Sequence, residues 1–228
     1  MTELIITTGL TKFYGEHRGV IDIDLRIGEG EVFGLLGPNG AGKTTCIRLF
    51  LDLIHPTSGS ATLLGLDSRA DSVRIRQAVG YLPGDFITYE KLTGRDLLEY
   101  FVNLRGHGMA RAESLAERFD LDLTRKIGEL SRGNRQKVGL VQAFMSDPRL
   151  LILDEPGEGI QPNIVAQIGE VIRRLIKEDG LTVLLVEQKL PFARKYADRF
   201  AIMDRGRRVA EGEIAELSDE LIKKHLTV

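Results

Sequence analysis

Gly37-Pro38-Asn39-Gly40-Ala41-Gly42-Lys43-Thr44 is the stretch that decides the fold. It follows EVFGLLG at 31–37 and opens KTTCIRLFLDLI at 43–54, so it reads as a turn between a buried strand and a helix stopped before Pro56. Glycines at 37, 40 and 42 let successive backbone N–H groups turn inward as an anion nest, and the helix start adds its positive end. The G-x-x-x-x-G-K-[ST] spacing then directs Lys43 to the β- and γ-phosphates of a nucleotide and the Thr44 hydroxyl to Mg²⁺. A glycine turn of purely structural purpose is the alternative, and the strand–helix context argues against it.

Working outward, LLILDEP at 150–156 and TVLLVEQ at 182–188 are two further apolar runs, too short for buried helices. Between them NIVAQIGEVIRRLIKE at 163–178 places Ile164, Ile168, Val171, Ile172 and Leu175 on one helical face, which predicts a parallel βαβ unit. Near the N-terminus, LIITTGLTKF and GVIDIDLRI alternate as antiparallel strands do. Residues 86–146 read as mostly helical, and GEIAELSDELIKKHL as a short helical tail. The predicted fold class is α/β: a phosphate-loop core with a mainly parallel sheet, an N-terminal antiparallel β-subdomain and an inserted helical subdomain. It is read as one domain over 1–228.

Composition sets the outer bounds. Apolar residues at 43 % and charged residues at 28 % exclude a disordered chain, and a single cysteine excludes a disulfide scaffold. Lys+Arg at 31 against Asp+Glu at 33 gives no basic excess for nucleic acid. Gly is raised, 25 in 228 residues, which fits a chain needing many left-handed backbone positions. The first twenty residues lack the apolar stretch of a signal peptide, and no apolar run approaches the roughly 18 residues of a membrane helix. A cytoplasmic location is therefore expected, with any membrane role exercised through a partner.

Two more motifs carry chemistry. Leu150-Leu151-Ile152-Leu153-Asp154-Glu155-Pro156 ends a buried strand in two carboxylates, which is costly unless they face a cation or polar site. Asp154 is placed to join the Mg²⁺ shell and Glu155 to polarise an attacking water. Capping of the next helix is the plainer alternative. Leu130-Ser131-Arg132-Gly133-Asn134 opens an amphipathic helix, where Ser131 is a good N-cap and, taken alone, nothing more.

All three in this order resemble the ATP-binding cassette (ABC) ATPases, over the whole chain. Walker A is matched at 37–44, Walker B with its glutamate at 150–155, and the signature Leu-Ser-Gly-Gly-Gln as Leu130–Asn134, with Arg132 and Asn134 as departures. The resemblance implies ATP held by Gly37, Asn39, Gly40, Ala41, Gly42, Lys43, Thr44 and Thr45. It implies Mg²⁺ on Thr44 and Asp154, catalysis by Glu155 and Lys43 with Gln188 at the switch position, and an adenine-stacking role for Tyr14, for which an ordinary strand aromatic is the alternative. It also implies a head-to-tail homodimer or heterodimer in which Ser131 and Gly133 reach the partner's γ-phosphate, and docking on transmembrane subunits at the inner face of the membrane. No nucleic acid is expected.

Three further departures stand in the active-site loops. The family has Gln where Gly84 stands, Asp where Gln161 stands and a switch His where Gln188 stands. His17, His55, His107 and His225 are all far from 188 in sequence. The halves also resemble different branches: 1–156 looks like ATPases of ABC-2-type exporters, 157–228 like those of urea and branched-chain amino-acid importers. That points to a chimera joined at about 150–157, and to an alternative function as an engineered nucleotide-binding module with weak hydrolysis. Soluble ABC proteins acting on ribosomes or DNA fit less well, since they resemble longer tandem chains. Cys46, in the first turn of the Walker A helix, reads as a small buried hydrophobe or as a thiol activated by the helix start.

Overall fold

The computed structural model describes residues 2–86, 89–106 and 108–226. In chain order its first elements are β1 (Glu3–Tyr14), β2 (His17–Gly28), β3 (Val32–Leu36), α1 (Lys43–Phe50), β4 (Ser58–Leu63), β5 (Leu66–Asp67), α2 (Ser72–Ala78) and β6 (Val79–Leu82). Three helices follow, α3 (Gly94–Arg105), α4 (Met109–Arg118) and α5 (Arg132–Phe144). The chain then returns to the core as β7 (Leu150–Asp154), α6 (Pro162–Asp179), β8 (Thr182–Glu187), α7 (Leu190–Tyr196), β9 (Arg199–Asp204), β10 (Arg207–Glu213) and α8 (Asp219–His225).

The strands make two sheets. One is antiparallel with order β2-β1-β4-β5, and the other has order β10-β9-β3-β8-β7-β6, parallel throughout except for β10 on β9. The predicted β7–α6–β8 unit is present, with Ile152 paired to Leu184 and Asp154 to Val186.

The apolar runs are continuous because the larger sheet is covered on both faces. Alternation along β7 sorts Leu151 and Leu153 into a core shared with α3–α7, and Leu150 and Ile152 into one shared with α1, β1 and β2. Val183 and Leu185 against Leu184 and Val186 divide β8 in the same way. A strand buried on both sides shows no polar alternation, so length and flanking turns are what reveal it.

Two expectations are corrected. The helix from Lys43 ends at Phe50 rather than 54: Asp52 takes a left-handed φ of 53°, and the N–H groups of Leu53 and Ile54 both return to the Arg48 carbonyl. That is a C-terminal cap closing early, before Pro56 is reached. The tail is not helical from Gly212, since Gly212 and Glu213 pair with Phe200 and Arg199 as the end of β10.

Candidate active site

The phosphate loop is held open by backbone conformation. Gly40 has φ 79° and Gly42 φ 102°, values that favour glycine. Gly37 has no room for a side chain, because a Cβ there would collide with the Met203 carbonyl and lie 3.1 Å from the Ala41 Cβ. Gly42 is the N-cap of α1 and brings no side-chain capping bond, so the first N–H groups of that helix are left for an anion.

The loop is also clamped from outside. Gly206, in the left-handed Arg205–Gly206 turn between β9 and β10, donates its N–H to Ala41 O at 2.9 Å and accepts from Ile21 N at 2.7 Å. Sequence reasoning missed this clamp. Asp204-Arg205-Gly206 is legible as a turn, but nothing local says what the turn rests on.

Lys43 is 5 % exposed, and its Nζ donates to the carbonyls of Gly37 at 2.7 Å and Pro38 at 3.2 Å. The same Nζ is 3.4 Å from Glu155 Oε1. Thr44 donates its hydroxyl to Asp154 Oδ2 at 3.3 Å, across 110 residues of chain. Asp154 is buried; desolvation, then the neighbouring Glu155 charge, push its carboxyl up to about 6, while Thr44 and Lys43 pull the other way. Glu155 carries a left-handed φ of 49°, the turn that directs it off the strand end toward Lys43.

Lys43, Thr44 and Glu155 line one cavity of about 250 Å³, together with Tyr14, Arg18, Gly19, Asn39, Gly40, Ala41, Gly42 and Thr45. The structure thus brings together every predicted cradle residue except Gly37, which sits behind it, and Asp154, which reaches it through Thr44. Arg18 and Gly19 were not anticipated. Tyr14 closes the β1–β2 hairpin, is half exposed, and lies where a Cβ on Gly19 would meet its ring at 2.9 Å.

Within one chain the remaining predicted residues stay apart from this cradle. Ser131 accepts the Asn134 N–H at 3.2 Å as the cap of α5, and Gly133 lets α5 approach α6, since a Cβ there would lie 3.2 Å from Ile160 and 3.1 Å from Ile164. Gln188 is exposed on a neighbouring, mainly apolar cavity between α6 and α7. Cys46 is fully buried, and desolvation pushes its thiol up to about 12, so the reactive-thiol reading falls and the buried hydrophobe stands. His107 lies outside the described residues.

Residues 20–158 match the family profile "ABC transporter". The chain belongs to the ABC transporter family. The daunorubicin resistance ATP-binding protein DrrA3 of Streptomyces coeruleorubidus is 39 % identical over 96 % of this chain and 72 % of its own length. A Nod factor export ATP-binding protein of Rhizobium etli is 34 % identical over 93 % of the chain and 69 % of its own length. An ATP-binding subunit of an ABC transporter superposes with TM-score 0.83 at 29 % identity, covering 97 % of this chain and 92 % of that one. The dimeric post-hydrolysis cassette MJ0796, bound to ADP and Pi, superposes with TM-score 0.84 at 23 % identity, over 92 % and 99 % of the two chains, a likeness of fold.

This protein is accordingly an ATP-binding cassette ATPase, a type of subunit that dimerises and works with transmembrane subunits. The relatives match over 93–96 % of the chain, both halves included, so the chimera expectation gains no support from them.

The departures have defined places in the cassette. A Cβ on Gly84 would lie 3.5 Å from Asp154 O and 3.9 Å from Asp154 Oδ2, an ordinary contact, so the position has room for a side chain beside the carboxylate. Arg132 leans on the turn after β7: a Cβ on Gly159 would stand 2.5 Å from its Cζ. Glu158, in the same turn, is held above the usual carboxylate range by partial burial and by its hydrogen bond to Glu155, with Arg132 opposing.

Among the described residues no group of three or more His, Cys, Asp and Glu side chains is arranged to hold a metal. The Thr44 hydroxyl and Asp154 carboxylate do form a pair of hard oxygen donors suited to Mg²⁺, which keeps most of its shell for phosphate and water.

Proposed function

We propose that this cassette is the ATPase subunit of an exporter-type ABC transporter. In this reading ATP lies on the 37–45 loop with adenine against Tyr14, and a second cassette closes over it. The carrying observation is the convergence of Lys43, Thr44, Asp154 and Glu155 from two distant strand ends on one cradle. Export is supported by the relatives named for drug resistance and Nod factor export. Among the described residues no helix is long and apolar enough to cross a membrane, and we place the subunit on the cytoplasmic face, docked on membrane partners. The cassette is read as one unit over 1–228, with α3–α5 as its inserted helical part at about 86–146.

The chemistry follows from the positions. Lys43 leaves the Gly37 and Pro38 carbonyls for the γ-phosphate, to which it offers a charge-assisted hydrogen bond. Thr44 and Asp154 would hold Mg²⁺, which supplies charge neutralisation to the phosphates when bound. Glu155 accepts a proton from water as the water oxygen bonds to the γ-phosphorus and the bond to the β-phosphate oxygen breaks. A cradle of about 250 Å³ is smaller than the roughly 300–1,000 Å³ of closed ligand pockets. Cover from the partner's Ser131 and Gly133 completes it, and Gln188 stands in for the switch His at the γ-phosphate.

The second reading, a nucleotide-binding module with weak hydrolysis, is favoured by Gly84 and Gln188. Both withhold a side chain that the family aims at the reacting phosphate. Steady-state phosphate release with Mg-ATP tests the two. Turnover abolished by Glu155→Gln supports the ATPase subunit, and binding with no turnover supports the module.

A further inference from the structure

Glu187 ends β8, between the strand that feeds the phosphate loop and the strand that carries the carboxylate pair. The hydrolysis described above gives it no task. It is 3 % exposed, and desolvation first of all pushes its carboxyl up to about 7. A carboxyl kept buried at such cost is expected to do something that a neutral residue would not.

Its contacts show what that is. Oε2 accepts the Lys189 N–H at 3.3 Å, so the side chain folds back over residue 188. Oε1 faces the turn after β7, 3.9 Å from where a Cβ on Gly157 would lie. The Glu187 carbonyl accepts the Gly37 N–H at 3.3 Å, at the root of the phosphate loop. Its backbone therefore bonds the root of the phosphate loop, and its carboxylate holds the switch turn next to Gly157. Gln188, by contrast, is exposed, and its side chain makes no hydrogen bond among the described residues. Only its backbone is held.

We propose that Glu187 is a positioning residue for hydrolysis: by accepting the Lys189 N–H beside Gly157, it sets where Gln188 stands relative to Glu155. This rests on the role given to Gln188 at the γ-phosphate.

The test compares steady-state ATP turnover and nucleotide affinity in the full chain. The variants are Glu187→Ala, Glu187→Met, Glu187→Gln, Gln188→Ala and the double Glu187→Ala/Gln188→Ala. Glu187→Ala should lower kcat about tenfold, as small misplacements near the chemistry do, with nucleotide Kd within about twofold of the parent. Glu187→Gln, whose amide oxygen still accepts an N–H, should recover most of that loss. The double variant should be no slower than Gln188→Ala alone, because a misplaced side chain that is already absent costs nothing more. Where Glu187→Ala does not fold, Glu187→Met keeps the volume without the acceptor and should show the same loss. Losses that multiply in the double variant, or a nucleotide Kd that weakens in step with kcat, would overturn the positioning role alone. Parent-like turnover in Gln188→Ala would overturn the role of Gln188 and this inference with it.

Discussion

Lys43 Nζ lies 3.4 Å from Glu155 Oε1, joining the first residue of α1 to the first residue past β7. Both side chains are largely buried, and the cation and the carboxylate stand in direct ion-pair contact at the edge of the cradle. The phosphate would take the lysine, and Glu155 would be left facing the water that attacks. On the proposed reading, binding and catalysis would be divided between the two ends of one ion pair.

Lys43→Ala removes the cation from that pair and leaves Glu155 and Asp154 without their nearest counter-charge. Hydrogen bonds to charged groups contribute roughly 1.5–3 kcal/mol, so Mg-ATP affinity should fall by about ten- to a hundredfold or more. The chain has no Trp, so calorimetry or a fluorescent nucleotide is the suitable readout. Unchanged affinity would remove Lys43 from the site.

Stability should depend on pH through the two buried carboxyls. Asp154 is raised to about 6 and Glu187 to about 7, both above the unfolded range near ~4. The folded chain then holds more protons than the unfolded one between about pH 4 and 7, so stability falls as pH rises through that window and stays lowered above it. Asp154→Asn should relieve its share, on the order of 2 kcal/mol or roughly 4–8 °C in Tm at pH 8, and much less at pH 4.5. An equal Tm change at both pH values would contradict the assignment.

The departures at 84 and 188 make a rate prediction. Hydrolysis should be slow while binding stays near normal, because each lost preorganised donor costs on the order of 10²–10³ in rate, less where Gln188 still donates. Gln188→His and Gly84→Gln should each raise turnover by about tenfold or more, and the space beside Asp154 accommodates the added Gln. A fast parent that neither change improves would show that the site uses other groups.

The sequence was informative wherever local pattern and local chemistry coincide. The strand–glycine loop–helix order marked the cradle, and the two carboxylates at the end of LLILDEP marked the side chains that meet Lys43 and Thr44 there. The N-terminal strand pair and the 163–178 helix were equally legible from periodicity. What was missed is what arises only when distant segments meet. The Gly206 clamp on Ala41 joins residues 165 positions apart in sequence, and no local signal in Asp204-Arg205-Gly206 announces it. The early end of α1 turned on a left-handed Asp52, which residue type alone does not fix. Glu187 reads in TVLLVEQ as a strand-end charge, and its burial follows from β8 being central.

A membrane partner, where present, should engage the helical part. Tyr100 and Leu104 project from α3 at 52 % and 65 % exposure, large apolar side chains on a mainly polar surface. Tyr100→Glu with Leu104→Glu should abolish co-purification of an exporter-type membrane subunit and leave the isolated chain's ATPase activity within about twofold, as surface changes away from a site generally do. Retained co-purification would move the docking surface elsewhere.

The central claim is that ATP is enclosed between two cassettes and cleaved with Glu155 as base. Glu155→Gln keeps the size of the side chain and removes the base, so bound ATP should persist and hold the two chains together. Light scattering of that variant in Mg-ATP is the most direct measurement. The account predicts a mass near twice the 25.3 kDa of one chain with ATP, and a single-chain mass with ADP. A variant that binds ATP by calorimetry yet stays at 25.3 kDa would contradict it.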